Sequence, residues 1–222
     1  VIYIDFTCSH VDLKEASRYL LMLASMGFSR DQSLRIVSEK FSLRKEDILL
    51  LKRVIRWPDE SLRNALKKIP PFLAGGRSIS VDGLNVLVTV EEILSGKPVY
   101  LSTDGFIRDA RAAYSSYRPG SMTDEAIREV IRELVEIGAG YVEIIFDSPH
   151  PGSGKLASMV RDIMSEMGVD WSCRAEKDAD SAVARGEISA SSDVSVIEKA
   201  KAVLDIPELI ARRRNAEIIV IW

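Results

Sequence analysis

The chain has 222 residues, 46% of them hydrophobic and 28% charged, with a formal net charge of −3. That is enough apolar sequence for a sizeable core, arranged as one large or two small domains. It excludes a helical membrane span, since no apolar run approaches the ~20 residues a span needs, and two cysteines, Cys8 and Cys173, exclude a disulfide framework.

With His10 and His150 as the only histidines and no spaced cysteine pairs, a Cys/His zinc cluster is excluded as well. The opening residues lack the pattern of a signal peptide, and Val1 points to trimming, so a cytoplasmic location is expected. Charge is uneven along the chain. Residues 1–76 carry 13 Lys and Arg against 9 Asp and Glu; residues 77–222 carry 17 against 24. A basic front and an acidic back suit a binding module joined to a carboxylate-rich site, though ordinary scatter of surface charge gives similar totals.

The front reads as helices. Ala16, Tyr19, Leu20 and Leu23 recur at helical spacing, and Gly27 follows as a stop. Ser29 is placed to cap a second helix carrying Leu34, Ile36, Val37 and Phe41. Ser42 is placed to cap a third with Ile48, Leu49, Leu51, Val54 and Ile55, ended by Trp57-Pro58. A short fourth, over about 59–69, stops at Pro70-Pro71, and "PPFLAGG" is the strongest boundary in the chain. Residues 1–70 are therefore expected to form a small all-α domain that binds nucleic acid or a partner, including a second copy in a homodimer.

Beyond Gly76 apolar runs at 78–82, 98–102, 141–147, 169–175, 187–192 and 217–222 read as strands. Helical periods lie between them at 86–95, 105–116, 123–138, 154–167, 178–185 and 194–203. This alternation predicts an α/β fold over 77–222, with a mainly parallel sheet and helices on both faces.

Three of the strands end alike, in "SISVD" at Asp82, "EIIFD" at Asp147 and "ISASSD" at Asp193. In an open parallel sheet such ends share one edge, where ligands bind in this class of fold. Asp178 and Asp180, in "EKDADSAVARG", follow another strand and are candidates for the same edge. Two carboxylates ~4 Å apart at an effective dielectric of about 20 repel by roughly 4 kcal/mol. A proton or a cation relieves that repulsion. Oxygen-only ligands suit Mg²⁺ or Mn²⁺, which activate water and stabilise charge on a phosphodiester. Each acid also precedes a helix, where aspartate is a favoured cap.

Asn85 is either an amide contact to ligand or substrate or a cap, and Gly83 either admits close backbone approach or permits the turn. In "YLSTDGFIRDARAAY", Asp104 and Asp109 could join the site. Arg108 and Arg111, with Arg118 nearby, are candidate phosphate donors. Tyr114 and Tyr117 either stack on bases or pack in the core. The segment "HPGSGKLA" fails as a Walker A loop, because Pro149 and Leu156 stand where a glycine and a hydroxyl are needed. Ser153 and Lys155 could still meet a phosphate at a helix start, and His150 is a conceivable acid or base.

"SVDGLNVL", "IIFDSP", "DADSAVA" and "ISASSD", in that order, resemble the motifs of PIN-like ribonuclease domains, particularly the NYN branch. The resemblance covers about residues 77–205. It sets Asp82-Gly83-Leu84-Asn85 on the opening Asp-Gly-x-Asn turn, Phe146-Asp147 on the second acid, Asp178 and Asp180 on the small-residue segment, and Ser192-Asp193 on the last. The resemblance implies a divalent-metal-dependent nuclease acting on RNA. Asp82, Asp147, Asp193 and Asp178 would be metal ligands, and Asp180 a further catalytic acid. The segment 97–122 is longer than a minimal NYN domain has, and Glu91 and Glu92 only weakly match the helix-borne glutamate of many PIN domains. The whole chain also resembles an uncharacterised, largely archaeal family that joins such a helical front to VDGLN and FDSP motifs.

Two other readings stay open: a non-catalytic RNA- or protein-binding scaffold, and a phosphatase of the haloacid-dehalogenase kind. The phosphatase expects an acid two residues after Asp82, where this chain has Leu84.

Overall fold

The computed structural model describes residues 11–110 and 117–222, with side chains described from Leu13 onward. Four helices open it: α1 (Val11–Ser25), α2 (Arg30–Phe41), α3 (Lys45–Val54) and α4 (Pro58–Ala65). Ser29 caps α2 as expected, in a capping box with Gln32. Ser42 does not open α3. It takes a left-handed conformation at φ 49°, and Leu43 N donates back to Ser38 O (3.0 Å), so Ser42 closes α2 instead. The start of α3 passes to Arg44, whose backbone N–H donates to Asp47 Oδ2 (3.1 Å). Pro58 begins α4, at a position where a missing N–H costs nothing.

The remainder alternates strand and helix: β1 (Ser78–Asp82), α5 (Gly83–Leu94), β2 (Val99–Leu101), β3 (Ile107–Arg108), α6 (Thr123–Glu136), β4 (Tyr141–Asp147) and α7 (Ser153–Glu166). Then follow β5 (Ser172–Glu176), α8 (Ala179–Ala184), β6 (Ile188–Ala190), α9 (Val194–Lys199), α10 (Ile206–Arg213) and β7 (Ile218–Ile219). The main sheet runs β5-β4-β1-β6 and is parallel throughout. Both of its faces are covered. Along β4, Ile144 and Phe146 enter the large core with α5, α6 and α7, while Ile145 packs on Ala182 and Val183 of α8.

A second sheet, β3-β2-β7, pairs β2 parallel with β7 and antiparallel with β3. The core under α1–α3 is completed by this sheet, through Tyr100 and Ile219, and by Ile221 just beyond β7. Val54 O at the end of α3 accepts from Ser102 Oγ (2.5 Å) and Thr103 N (3.0 Å). Those contacts fix α3 against the β2–β3 turn. Lys68, past the end of α4, pairs with Asp205 at 2.9 Å and donates to Gly105 O in the same turn.

The helix expected over 105–116 is corrected for 105–110; Arg111 to Ser116 lie outside the described residues. Gly105 adopts φ +83° and turns the chain from β2 into β3, with Ser102 N donating to Phe106 O (3.0 Å). Asp-Gly is a strong hairpin signal, and here it outweighs the helical period. The helix expected over 194–203 ends at Lys199, where the chain becomes extended. Val203 then bridges both Ser189 and Lys68. Asp205 caps α10, with Pro207 in its first turn. Among the described residues no helix is long and apolar enough to cross a membrane. Cys173 is a buried free thiol, pushed up to about 12 by burial; Cys8 lies outside the described residues.

Candidate active site

In the main sheet the chain passes from β1 to β4 and β5 on one side, then returns to place β6 on the other. The order therefore reverses between β1 and β6, and the crevice beyond the carboxyl ends of those two strands is where open α/β sheets hold ligands. Asp82, Asn85, Ser191, Ser192 and Asp193 meet there.

Asp82 is both cap and candidate ligand. Its Oδ1 accepts from Asn85 N (3.2 Å), opening α5, and its Oδ2 accepts from Ser191 Oγ (2.8 Å) across the crevice. Asn85 is buried, and its Oδ1 accepts from both Ser192 N (2.8 Å) and Ser192 Oγ (3.0 Å). These bonds tie the β1–α5 turn to the β6–α9 turn. Asp193 caps α9, its Oδ1 accepting from Ser195 N (2.8 Å), while its own N–H donates to Ser191 Oγ (3.0 Å). Ser195 Oγ in turn donates to Asp180 in the first turn of α8. Asp178 caps α8 through Ser181 N (3.2 Å).

Gly83 is explained by close approach rather than by a left-handed turn. A Cβ on it would stand 2.6 Å from the ring of buried Phe146. Gly83→Ala should displace that ring and destabilise the fold by about 1–3 kcal/mol, read from the midpoint of urea unfolding. An unchanged midpoint would mean that the ring has room to move.

The acids sense one another. Burial pushes the half-buried Asp82 carboxyl up to about 7, and Asp193 and Asp180 add repulsion against the pull of Ser191 and Asn85. Asp147 is also raised, by burial first and then by Asp180 and Asp178, with His150 opposing. Among the described residues, however, no three His, Cys, Asp or Glu side chains stand close enough to cage a metal ion. Sheet register contributes to that. Asp82 lies opposite Ile145, so Asp147 sits two residues further along β4, roughly 6–7 Å beyond.

The other candidates are distributed as follows. Arg108 is buried and engaged twice by Asp104 (2.7 and 2.9 Å), its Nε donating to Ser192 O (2.9 Å). It therefore braces the β6–α9 turn, where the sequence suggests a phosphate donor. Asp104 and Asp109 are fully buried in ion pairs with Arg108 and Arg53 and do not join the acids. Burial pushes Asp104 up, but Arg108 and Asn64 outweigh it and leave the carboxyl below its usual range. Ser153 and Lys155 open α7 beyond β4, two strands away from β6; Ser153 is buried and Lys155 exposed. Arg111 and Tyr114 lie outside the described residues. Tyr117 packs inside, its hydroxyl on Glu91 (2.6 Å), which removes Glu91 from the site as well. Glu92 pairs with Lys97.

Sequence reasoning missed the serines that organise the crevice and the basic residues beside it. A pocket of about 230 Å³ adjoins Asp193, walled by Lys52, Arg53 and Arg56 from the end of α3 and by Arg108, Ser192 and Val194. The available signals were "SASSD", where two hydroxyls precede the acid, and "KRVIR", where three cations fall within five residues.

Residues 73–209 match a family described as a domain of unknown function (DUF5616). An uncharacterised protein of Methanocaldococcus jannaschii is 30% identical over 200 residues, covering 89% of this chain and 93% of its own length. No solved structure matches the chain.

Proposed function

Because the chain belongs to the DUF5616 family, whose description states no activity, its function has to be argued from its own site, and we propose that it is a PIN/NYN-like, divalent-metal-dependent hydrolase of phosphodiester bonds in RNA. The observation that carries this reading is Asp82: a carboxyl at the switch point of a parallel sheet, pushed up to about 7 by burial, with Asp193 and Asp180 in electrostatic reach. A site that gathers charge it cannot neutralise internally suits a cation.

The donor set fits Mg²⁺ or Mn²⁺ in one particular way. Magnesium is commonly held by one or two carboxylates together with waters and substrate phosphates, not by an all-protein cage. Asp82 and Asp193 would hold it, with Asp147, Asp178 and Asp180 further along the edge. When bound, such an ion supplies Lewis-acid stabilisation of charge on the phosphodiester oxygens. Ser191 fixes one oxygen of Asp82 and also the backbone of Asp193, so it sets the two acids relative to each other. Asn85 holds the β6–α9 turn through both polar groups of Ser192, which keeps Asp193 at the crevice mouth. Asp180 would accept a proton during hydrolysis. The basic α3 side of the crevice would face the RNA strand.

Mn²⁺ or Mg²⁺ should support cleavage of single-stranded or structured RNA, EDTA should stop it, and more metal should be needed for half-maximal rate below pH 7, where the proton on Asp82 competes with the ion. Asp193→Asn preserves the helix cap but removes the charge, and should lower the rate at least a hundredfold. Cleavage that persists in both EDTA and Asp193→Asn would sink the proposal.

A specific observation favours one competitor. Asp82, Asp178 and Asp193 each give one oxygen to a helix cap, and no three acids converge among the described residues. That arrangement suits a scaffold that retains RNA without turning it over, and retention unaffected by metal would select it. The phosphatase alternative has no acid at Leu84 to serve it.

A further inference from the structure

Arg56 is 7% exposed, yet no ion pair forms on it among the described residues, and its Nε has no hydrogen-bond partner. Its neighbours are otherwise arranged. Arg53 pairs with Asp109 at 2.7 Å, and Arg108 pairs with Asp104. The backbone of Arg56 is fixed too, its N–H donating to Thr103 Oγ1 (2.8 Å). The backbone of Arg56 is thus fixed while its Nε has no acceptor among the described residues, and Asp104 and Glu60 act on the guanidinium only at a distance.

A buried guanidinium with no ion pair and a donor left without an acceptor is costly, and a ligand from outside the chain is one way such a group is answered. Arg56 borders the 230 Å³ pocket beside Asp193, and exposed Lys52 stands on the same rim. The carboxylate in the wall, Asp193, has Oδ1 engaged by Ser195 N and lies within electrostatic reach of Arg53. The positive side of the pocket is therefore the α3 side.

We propose that this pocket is a phosphate subsite, in which the planar donors of Arg56, helped by Lys52, take a phosphate group of a nucleic-acid strand lying across the acid crevice. Guanidinium geometry matches phosphate through paired N–H donors, and Arg56 lines the pocket where such a pair would sit. Burial, and then repulsion from Arg30 and Arg108, outweigh the pull of Asp104 and Glu60 and lower Arg56 to about 10, so it remains charged at neutral pH and gains from an anion. The identification of the strand rests on the nuclease reading; the anion subsite itself rests on Arg56.

The test uses the full chain in EDTA, so that binding is read without cleavage. Two probes separate the sources: inorganic phosphate, followed by thermal shift, and a fluorescent single-stranded oligoribonucleotide, followed by anisotropy. Phosphate should raise the Tm of the parent chain. Arg56→Met should abolish that rise and weaken oligoribonucleotide binding at least tenfold. Lys52→Met, at an exposed position that folding does not depend on, should weaken it about threefold, with a shallower salt dependence. Arg56→Lys should recover only part of the loss, because an ammonium lacks the fork. Unchanged strand binding and phosphate response in Arg56→Met and Lys52→Met would overturn the subsite and leave water as the partner of Nε. A phosphate response without strand binding would overturn the strand assignment. Intact binding with no metal-dependent cleavage would overturn the nuclease reading and leave the subsite standing.

Discussion

Asp82→Asn should make the metal-free protein more stable at pH 8 while abolishing cleavage. The reason is the raised carboxyl, held at about 7 in the fold against the ordinary 3.8. Below about pH 4 folded and unfolded chains both hold the proton, and the group contributes nothing to the difference. Between about 4 and 7 the folded state binds more protons than the unfolded state, so stability falls as pH rises. Above 7 the full cost of an ionised, half-buried Asp82 is present, of the order of 2–4 kcal/mol.

Asparagine removes that cost. It can still accept from Asn85 N through its carbonyl, and its amide can donate to Ser191 Oγ. Reversing the Ser191 bond costs about 1 kcal/mol, so the net gain at pH 8 should be about 1–3 kcal/mol. Urea unfolding in EDTA at pH 5 and pH 8 reads it directly: the parent should lose stability between the two, and the variant should lose less. Parallel curves would show that Asp82 does not titrate near 7. Gain of stability with loss of activity is expected of a site residue, whereas at a residue that served only as a cap asparagine, an equally good cap, would leave activity unchanged.

Whether those acids lie on one edge was legible in the sequence; whether they touch was not. Apolar runs ending in aspartate placed Asp82, Asp147 and Asp193 at the carboxyl ends of β1, β4 and just beyond β6, where the structure has them. Register was the missing quantity. A strand slides in steps of about 3.3 Å, and no local pattern says which residue of β4 faces Asp82. The 105–110 segment failed for a related reason: periodicity favours a helix, but Asp104-Gly105 makes a hairpin whose partner strand is closed by β7, more than a hundred residues away. The arginines divided in the same manner. "KRVIR" shows three cations in the sequence, but only the fold decides that Asp109 answers Arg53 and that Arg56 Nε has no acceptor among the described residues. Polar partners at long range are invisible to spacing.

Arg108→Met carries the largest expected loss of stability, and it connects that loss to the crevice. Asp104 is fully buried and held by both Nη groups of Arg108, with Asn64 Nδ2 (3.0 Å) and, at a longer 3.4 Å, Phe106 N as further donors. Removing the guanidinium leaves a buried carboxylate facing only neutral donors, the Asn64 amide and the Phe106 N–H, and breaking such a pair costs about 3–5 kcal/mol. The double variant Arg108→Met/Asp104→Asn keeps an acceptor for Asn64 and removes the stranded charge. It should recover more than half of the loss, because a buried pair contributes little beyond what its own members cost when separated. Activity should not follow stability back. Arg108 Nε also holds Ser192 O, and Ser192 is the partner of Asn85 across the crevice. A double variant that unfolds near the parent midpoint should therefore still cleave slowly, its lost contact lying on the β6–α9 turn that presents Asp193. Full recovery of rate together with stability would mean that the Arg108–Ser192 bond does not position the acid.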